Sequence, residues 1–146
     1  MKLKMCRAQF QELRRHGEHA YPYECCGVLV GKYIGNMKMV EAVLPCNNTR
    51  TDSPRNRYSI DPRELIAIQR NATESGKEIV GFYHSHPDHP AHWSATDLAE
   101  AYWTGCSYVI TSVAQGQAVV TNSYVLLGEE EKKYFEQESL EVEETE

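Results

Sequence analysis

Four of the six histidines in this 146-residue chain fall within nine residues: His84, His86, His89 and His92. His84 and His86 follow directly on an apolar run, Glu78–Tyr83 (EIVGFY), that reads as a strand. Residues two apart in an extended chain face the same way, so both imidazoles project to one side and Ser85 to the other. Two imidazoles on one face are a natural start to a zinc site, because zinc prefers N and S donors in tetrahedral geometry. Three protein ligands and a water make such a site catalytic; four protein ligands make it structural. Asp97 lies eleven residues after His86, in the first turn of the next expected helix. Two neutral imidazoles and one carboxylate leave a zinc site at net +1, still able to lower the pKa of bound water toward about 7.

Each residue also has a plainer explanation. Ser94-Ala95-Thr96-Asp97 fits the capping-box pattern, in which a hydroxyl and an acid satisfy the orphan N–H groups of a helix start. A lone His-x-His pair is a weak signal. His89 and His92 read as exposed loop histidines, with alternate ligation or substrate contact as the other reading. Trp93 either packs beneath the loop or walls a cleft. Cys25 and Cys26 are poor joint ligands, since adjacent residues on a strand face opposite ways. Ser85 has nothing to commend it as a nucleophile beyond its histidine neighbours.

The joint pattern decides. His84-Ser85-His86-Pro87 is followed by Ser94, with seven residues between His86 and Ser94, and then by Asp97, with two residues between Ser94 and Asp97. This spacing resembles the signature of the JAMM/MPN-plus zinc metallopeptidases, and five fixed positions at fixed intervals make it a specific match. Pro22-Tyr23-Glu24-Cys25-Cys26-Gly27 resembles the segment on which that family places a glutamate ahead of a buried strand. The likeness runs over most of residues 5–125. The chain also resembles the compact bacterial members, which are similar to enzymes that process sulfur-carrier proteins.

The resemblance implies a zinc cofactor held by His84, His86 and Asp97. It implies that Glu24 takes a proton from the attacking water and later delivers it to the leaving amine. Ser94 would donate to the oxyanion of the tetrahedral intermediate. The implied substrate is a small ubiquitin-like or sulfur-carrier protein, cut at an amide bond after its C-terminal Gly-Gly, with the thin tail adding to an exposed strand edge. The competing readings are a non-catalytic MPN-type scaffold that binds ubiquitin-like partners, against which the intact Glu24/His84/His86/Asp97 set speaks, and a small-molecule deaminase. A deaminase pairs one His with Cys ligands, and no Pro-Cys-x-x-Cys occurs here.

The elements that must position these residues are partly legible. Residues 6–19 read as a helix, ended before Tyr21-Pro22 by the constraint on a residue preceding proline. Cys25–Tyr33 reads as a buried strand in which Gly27 and Gly31 permit close approach. A turn at Gly35-Asn36 leads to a partner strand, Lys38–Leu44. Residues 45–57 are rich in Asn, Thr, Asp, Ser and Pro and read as a loop. Ser59–Gly76 is the clearest helix, with Asp61 as N-cap, Pro62 first in the helix, Glu64 as reciprocal partner and Gly76 as terminator. His84–Trp93 reads as a loop, Ser94–Trp103 as a second helix, and Ser107–Val113 and Gln117–Leu126 as strands joined at Gly116. The expected class is α/β, with α+β as the alternative: a single-domain MPN-like fold with a mixed central sheet flanked by helices.

Charge divides the chain. Residues 129–146 carry nine acids and two lysines, or −7, out of a total of −6. The remaining twelve acids and thirteen basic residues leave the body at +1. The expected organisation is a catalytic domain over 1–128 and an acidic C-terminal tail over 129–146, partly helical or disordered. A nearly neutral body without a basic stripe argues against a nucleic-acid partner. Arg50, Arg55, Arg57 and Arg63 read as a solvated loop cluster. No apolar run is long enough to span a membrane. Five cysteines (Cys6, Cys25, Cys26, Cys46 and Cys106), odd in number and lacking a CxxC pair, predict reduced thiols and a cytoplasmic setting.

Overall fold

The computed structural model describes residues 1–50 and 57–144. Seven strands and three helices follow in the order β1 (Lys2–Cys6), α1 (Arg7–Ala20), β2 (Cys26–Ile34), β3 (Met37–Cys46), α2 (Pro62–Glu74), β4 (Glu78–Pro87), α3 (Ala95–Ala99), β5 (Ser107–Ala114), β6 (Gln117–Leu127) and β7 (Tyr134–Glu143), with a 3-10 turn at Glu130–Lys132 before β7. The sheet is mixed, as expected, and it closes into a barrel in the order β1-β3-β2-β4-β5-β6-β7. The pairs β1–β3, β1–β7 and β4–β5 are parallel; the others are antiparallel.

Helices lie on both faces. The apolar side chains of α2 (Leu65, Ile68, Ala72) pack on one face with Cys26, Val28, Phe82, Tyr108 and Ile110. Leu13 of α1 packs on the other with Leu3, Met5, Leu29, Tyr83 and Val109. Asp61 caps α2 by accepting the Arg63 N–H, Pro62 begins it, and Gly76 follows it at φ 73°. Gly27 and Gly31 are needed as bare backbone: a Cβ at Gly27 would run into the Tyr83 ring, and one at Gly31 into the Met39 carbonyl.

Four expectations change. The C-terminal segment is no tail through residue 143. Tyr134–Glu143 is the strand that closes the barrel, pairing with β6 and with β1. Its acids hid its apolar positions: Phe135 packs in one core cluster and Leu140 and Val142 against the other, while Glu141 and Glu143 meet Lys2 and Lys4 at 2.9 and 2.5 Å. The −7 of this segment is therefore partly balanced by the basic N-terminal strand β1. Second, β4 runs on through Pro87, so His84 and His86 stand on the strand itself and not in a loop. Third, the second helix stops at Ala99. Lys133 Nζ takes the carbonyls of Ala99 and Ala101 (3.2 and 2.6 Å), and the Trp103 N–H goes to the Tyr108 hydroxyl, which draws the chain out of helical bonding. Fourth, closure limits free strand edges. The outer edge of β6 is capped by α1, whose Arg14 donates to the Ala118 and Val119 carbonyls and whose Glu18 accepts the Ala118 N–H.

Candidate metal centre

His84 and His86 project from the end of β4 onto the face that carries α2 and α3, and both are buried. Asp97 reaches them from the first turn of α3. The three donor groups converge: His84 Nε2 and His86 Nε2 are 3.2 Å apart, His84 Nε2 is 3.2 Å from Asp97 Oδ1, and His86 Nε2 is 3.0 Å from Asp97 Oδ2. Ligands at roughly 2.0–2.1 Å from a tetrahedral zinc stand about 3.3 Å from one another, so the set fits that ion. Among the described residues this is the group of three that could hold a metal.

Electrostatics prepares the donors. Burial lowers the pKa of His84 against the pull of Asp97, which favours the neutral imidazole a metal requires. Burial opposes protonation of His86 too, but its hydrogen bond to Asp97 and that carboxylate's charge raise its pKa on balance. Asp97 is pushed up by burial, yet the two imidazoles and the Ser94 N–H hold it far below the ordinary carboxylate range. His86 Nδ1 donates to the Pro90 carbonyl at 2.8 Å, which leaves Nε2 as the free donor atom.

Ser94 and Asp97 stand at the start of α3. They form a full capping box, Ser94 Oγ accepting the Asp97 N–H at 3.0 Å and Asp97 Oδ2 accepting the Ser94 N–H at 2.9 Å. The capping contact is also what aims Asp97 at the histidines. Ser94 itself is exposed.

Glu24 precedes β2 and is 4 % exposed. Its Oε1 is buried without a hydrogen-bond partner among the described residues. Burial, then the charges of Asp97 and Glu100, push its carboxyl up to about 9. Two side chains hold this segment. Ser85, on the opposite face of β4 from the histidines, accepts the Cys25 N–H through Oγ at 2.9 Å. Asn48 Nδ2 donates to the Glu24 carbonyl at 3.2 Å. Ser85 thus serves as an anchor. The Cys25 thiol beside it is pushed up to about 12, mainly by burial, and is inert as a nucleophile at neutral pH.

Two cavities flank the centre. One of about 380 Å³ is walled by Tyr58, Leu65, Phe82, Trp103 and Tyr108 and touches Asp97. The other, about 360 Å³, is lined by Glu24, His86, His89, His92, Trp93 and Ser94. His89 and His92 are exposed, as expected, yet they form the rim of this second cavity. Trp93 does both things the sequence allowed, lining that cavity and packing on Phe135 of β7 at 5.7 Å. Of the basic cluster, Arg50 pairs with Glu100 and Arg63 with its own helix cap, Asp61; Arg55 lies outside the described residues.

Residues 7–126 match the family model described as prokaryotic homologs of the JAB domain. The chain belongs to this family. A desampylase of Haloferax volcanii is 41% identical over 91 residues, covering 62% of this chain and 63% of the relative. A probable TtuB-protein conjugate cleaving protease of Thermus thermophilus is 33% identical over 97 residues, covering 66% of this chain and 62% of the relative. The chain thus spans a little over three-fifths of the length of these curated relatives. The solution structure of protein DSY2949 from Desulfitobacterium hafniense superposes with a TM-score of 0.83 at 30% identity, covering 98% of this chain and 94% of that one. A protein from Salinibacter ruber gives 0.69 at 36% identity, covering 94% and 90%.

Sequence reasoning missed two residues that shape this JAB-type site. Asn48 makes four hydrogen bonds across the loop, to Glu24, Arg57, Arg50 and Ser59. Tyr58 stacks on His84, with ring centroids 4.6 Å apart. Their only sequence signal was an Asn and an aromatic in a polar loop, and neither has a fixed offset from the histidines that elementary geometry could supply.

Proposed function

We propose that the chain is a zinc metallopeptidase that hydrolyses an amide or isopeptide bond at the Gly-Gly C-terminus of a small ubiquitin-like or sulfur-carrier protein, in a reducing cytoplasmic compartment. The observation that carries this reading is Glu24: a buried carboxyl with an unpartnered oxygen, beside three converging metal donors. A buried acid without a partner is costly unless it has work to do. The relatives named as a desampylase and as a protease cleaving TtuB–protein conjugates support a substrate in which one protein is joined to another.

His84, His86 and Asp97 would hold the zinc, which supplies a Lewis acid and lowers the pKa of a water it binds toward about 7. Glu24 takes a proton from the attacking water at Oε1 and hands it to the leaving amine. Its carboxyl is raised by burial and then by the charges of Asp97 and Glu100, and positive charge against Asp97 would offset the second of these causes. Ser94 Oγ spends a lone pair on the Asp97 N–H and keeps its hydroxyl proton to donate to the developing oxyanion. Loss of one such donor costs on the order of 10²–10³ in rate. The two flanking cavities leave room on either side of the reacting bond, and a Gly-Gly tail is thin enough to cross between them.

The test uses a Gly-Gly-tailed ubiquitin-like protein joined to a lysine peptide, with cleavage followed by mass spectrometry and zinc counted by elemental analysis. The wild type cleaves and carries one zinc. His86→Ala loses the metal; Glu24→Gln keeps it and loses activity. A fully active Glu24→Gln overturns the proton-transfer role, and a wild type that takes up no zinc overturns the reading altogether.

A further inference from the structure

Each imidazole of a metal pair must keep its ring plane fixed, because a rotation takes the lone pair off the ion. His86 uses a common device: Nδ1 donates to the Pro90 carbonyl. His84 has no such partner among the described residues. Its Nδ1 is buried without a hydrogen bond, while its Nε2 stands among His86 Nε2 and Asp97 Oδ1. What His84 has instead is Tyr58, whose ring lies over the imidazole with centroids 4.6 Å apart and planes 26° apart. That is stacking geometry, which restrains a ring plane without needing a polar contact. Tyr58 is itself bracketed. Asn48 Nδ2 donates to the carbonyl of Arg57 on one side, and Asn48 Oδ1 accepts the N–H of Ser59 on the other, at 3.0 and 3.1 Å. The same Nδ2 reaches the Glu24 carbonyl. One loop asparagine thus ties the ring over His84 to the segment carrying the buried carboxyl.

We propose that Tyr58 is a positioning residue of the metal centre, holding His84 by ring stacking where His86 is held by a hydrogen bond. The proposal rests on the reading of His84, His86 and Asp97 as zinc ligands. It requires the aromatic face and not the hydroxyl, so phenylalanine should serve and a branched aliphatic side chain of similar bulk should not.

The experiment titrates zinc alone into the full chain against a competing chelator. Tyr58→Phe keeps the zinc affinity within about twofold of wild type. Tyr58→Leu lowers it roughly 10–100-fold, the range found when an outer partner of a ligand is lost. With cobalt(II) in place of zinc, the visible spectrum of the Leu variant changes while that of the Phe variant does not, a signature that a general loss of packing would not select. A readout on the wild type needs no variant to fold: in the zinc-loaded protein the His84 ring protons lie upfield of those of His86, shielded by the Tyr58 ring. The proposal is overturned by a Leu variant with wild-type zinc affinity and cobalt spectrum, or by His84 protons without that upfield shift. A wild type that binds no zinc overturns it together with the reading it rests on. A wild type that binds zinc but cleaves no conjugate overturns the proposed reaction alone, and the affinity series still decides the role of Tyr58.

Discussion

Two buried polar clusters sit on opposite faces of one sheet, and they are finished to different degrees. On the face away from the histidines, Lys38 is fully buried and its Nζ donates to Glu138 Oε1 at 3.1 Å. Ser107 and Ser123 donate to Glu138 Oε2 at 2.5 and 2.7 Å. Both oxygens of that carboxylate are spoken for, and the cluster joins β3, β5, β6 and β7 where the barrel closes. On the other face, Glu24 Oε1 and His84 Nδ1 are the buried side-chain polar atoms left without a partner among the described residues. A closed network binds strands together. An open one, with three donors pointing at a common centre, keeps its capacity for something that is not part of the chain.

The closed cluster gives the largest expected effect. Glu138→Ala strands the Lys38 ammonium in the interior, which costs about 3–5 kcal/mol of stability. Urea unfolding measures this directly. Lys38→Met combined with Glu138→Leu removes both charges and recovers most of the loss, since a buried pair is often no better than a well-packed apolar replacement. A Glu138→Ala protein within 1 kcal/mol of wild type would break the contrast, because Glu138 would then not be holding the barrel shut.

The two clusters were unequally legible in the sequence. His84 and His86 stood out weakly through strand alternation; Ser94 and Asp97 read locally as a capping box, and only their spacing from the histidines singled them out, while the same cap aims the carboxylate. Lys38 and Glu138 are a hundred residues apart, and nothing local marks either as buried. β7 was hidden for a related reason. Its Leu-Glu-Val-Glu run at 140–143 looks like solvated charge until it is set against Lys-Leu-Lys-Met at 2–5, where Leu3 meets Leu140 and Met5 meets Val142 in register. Parallel pairing of the two chain ends is a long-range fact. So is the Tyr58–His84 stack, which depends on where a polar loop returns to the sheet.

The open cluster should reveal its cost through pH. Glu24 has a folded pKa of about 9 against an ordinary value of 4.5. A carboxyl raised by folding contributes most below pH 4.5, and that contribution drains away as pH climbs through 9. In metal-stripped protein, Glu24→Gln should therefore match wild type near pH 4 and exceed it at pH 7, by up to about 3 kcal/mol. Unfolding curves across pH 4–9 check this. A variant that is less stable than wild type at pH 7 would mean that Glu24 has a partner in solution, and the two clusters would then be alike. Added zinc should shrink the difference, since positive charge beside Asp97 stabilises the ionised form of Glu24.

The smallest effect on stability separates two jobs held by one side chain. Ser94 caps α3 through Oγ and is assigned the oxyanion. Ser94→Ala removes both functions and should cost about 1 kcal/mol of stability, the usual worth of an N-cap. Ser94→Gly costs only a few tenths, because glycine is tolerated at that position, yet it removes the hydroxyl just as completely. If the hydroxyl acts on the substrate, the two variants lose rate by the same 10²–10³ despite their different stabilities. If Ser94 serves only to aim Asp97 through the cap, rate should follow zinc affinity, and the glycine variant should keep most of both. The capping box would then belong with the closed network of Lys38 and Glu138, as scaffold, and the chemistry would contract to Glu24 and the three metal donors.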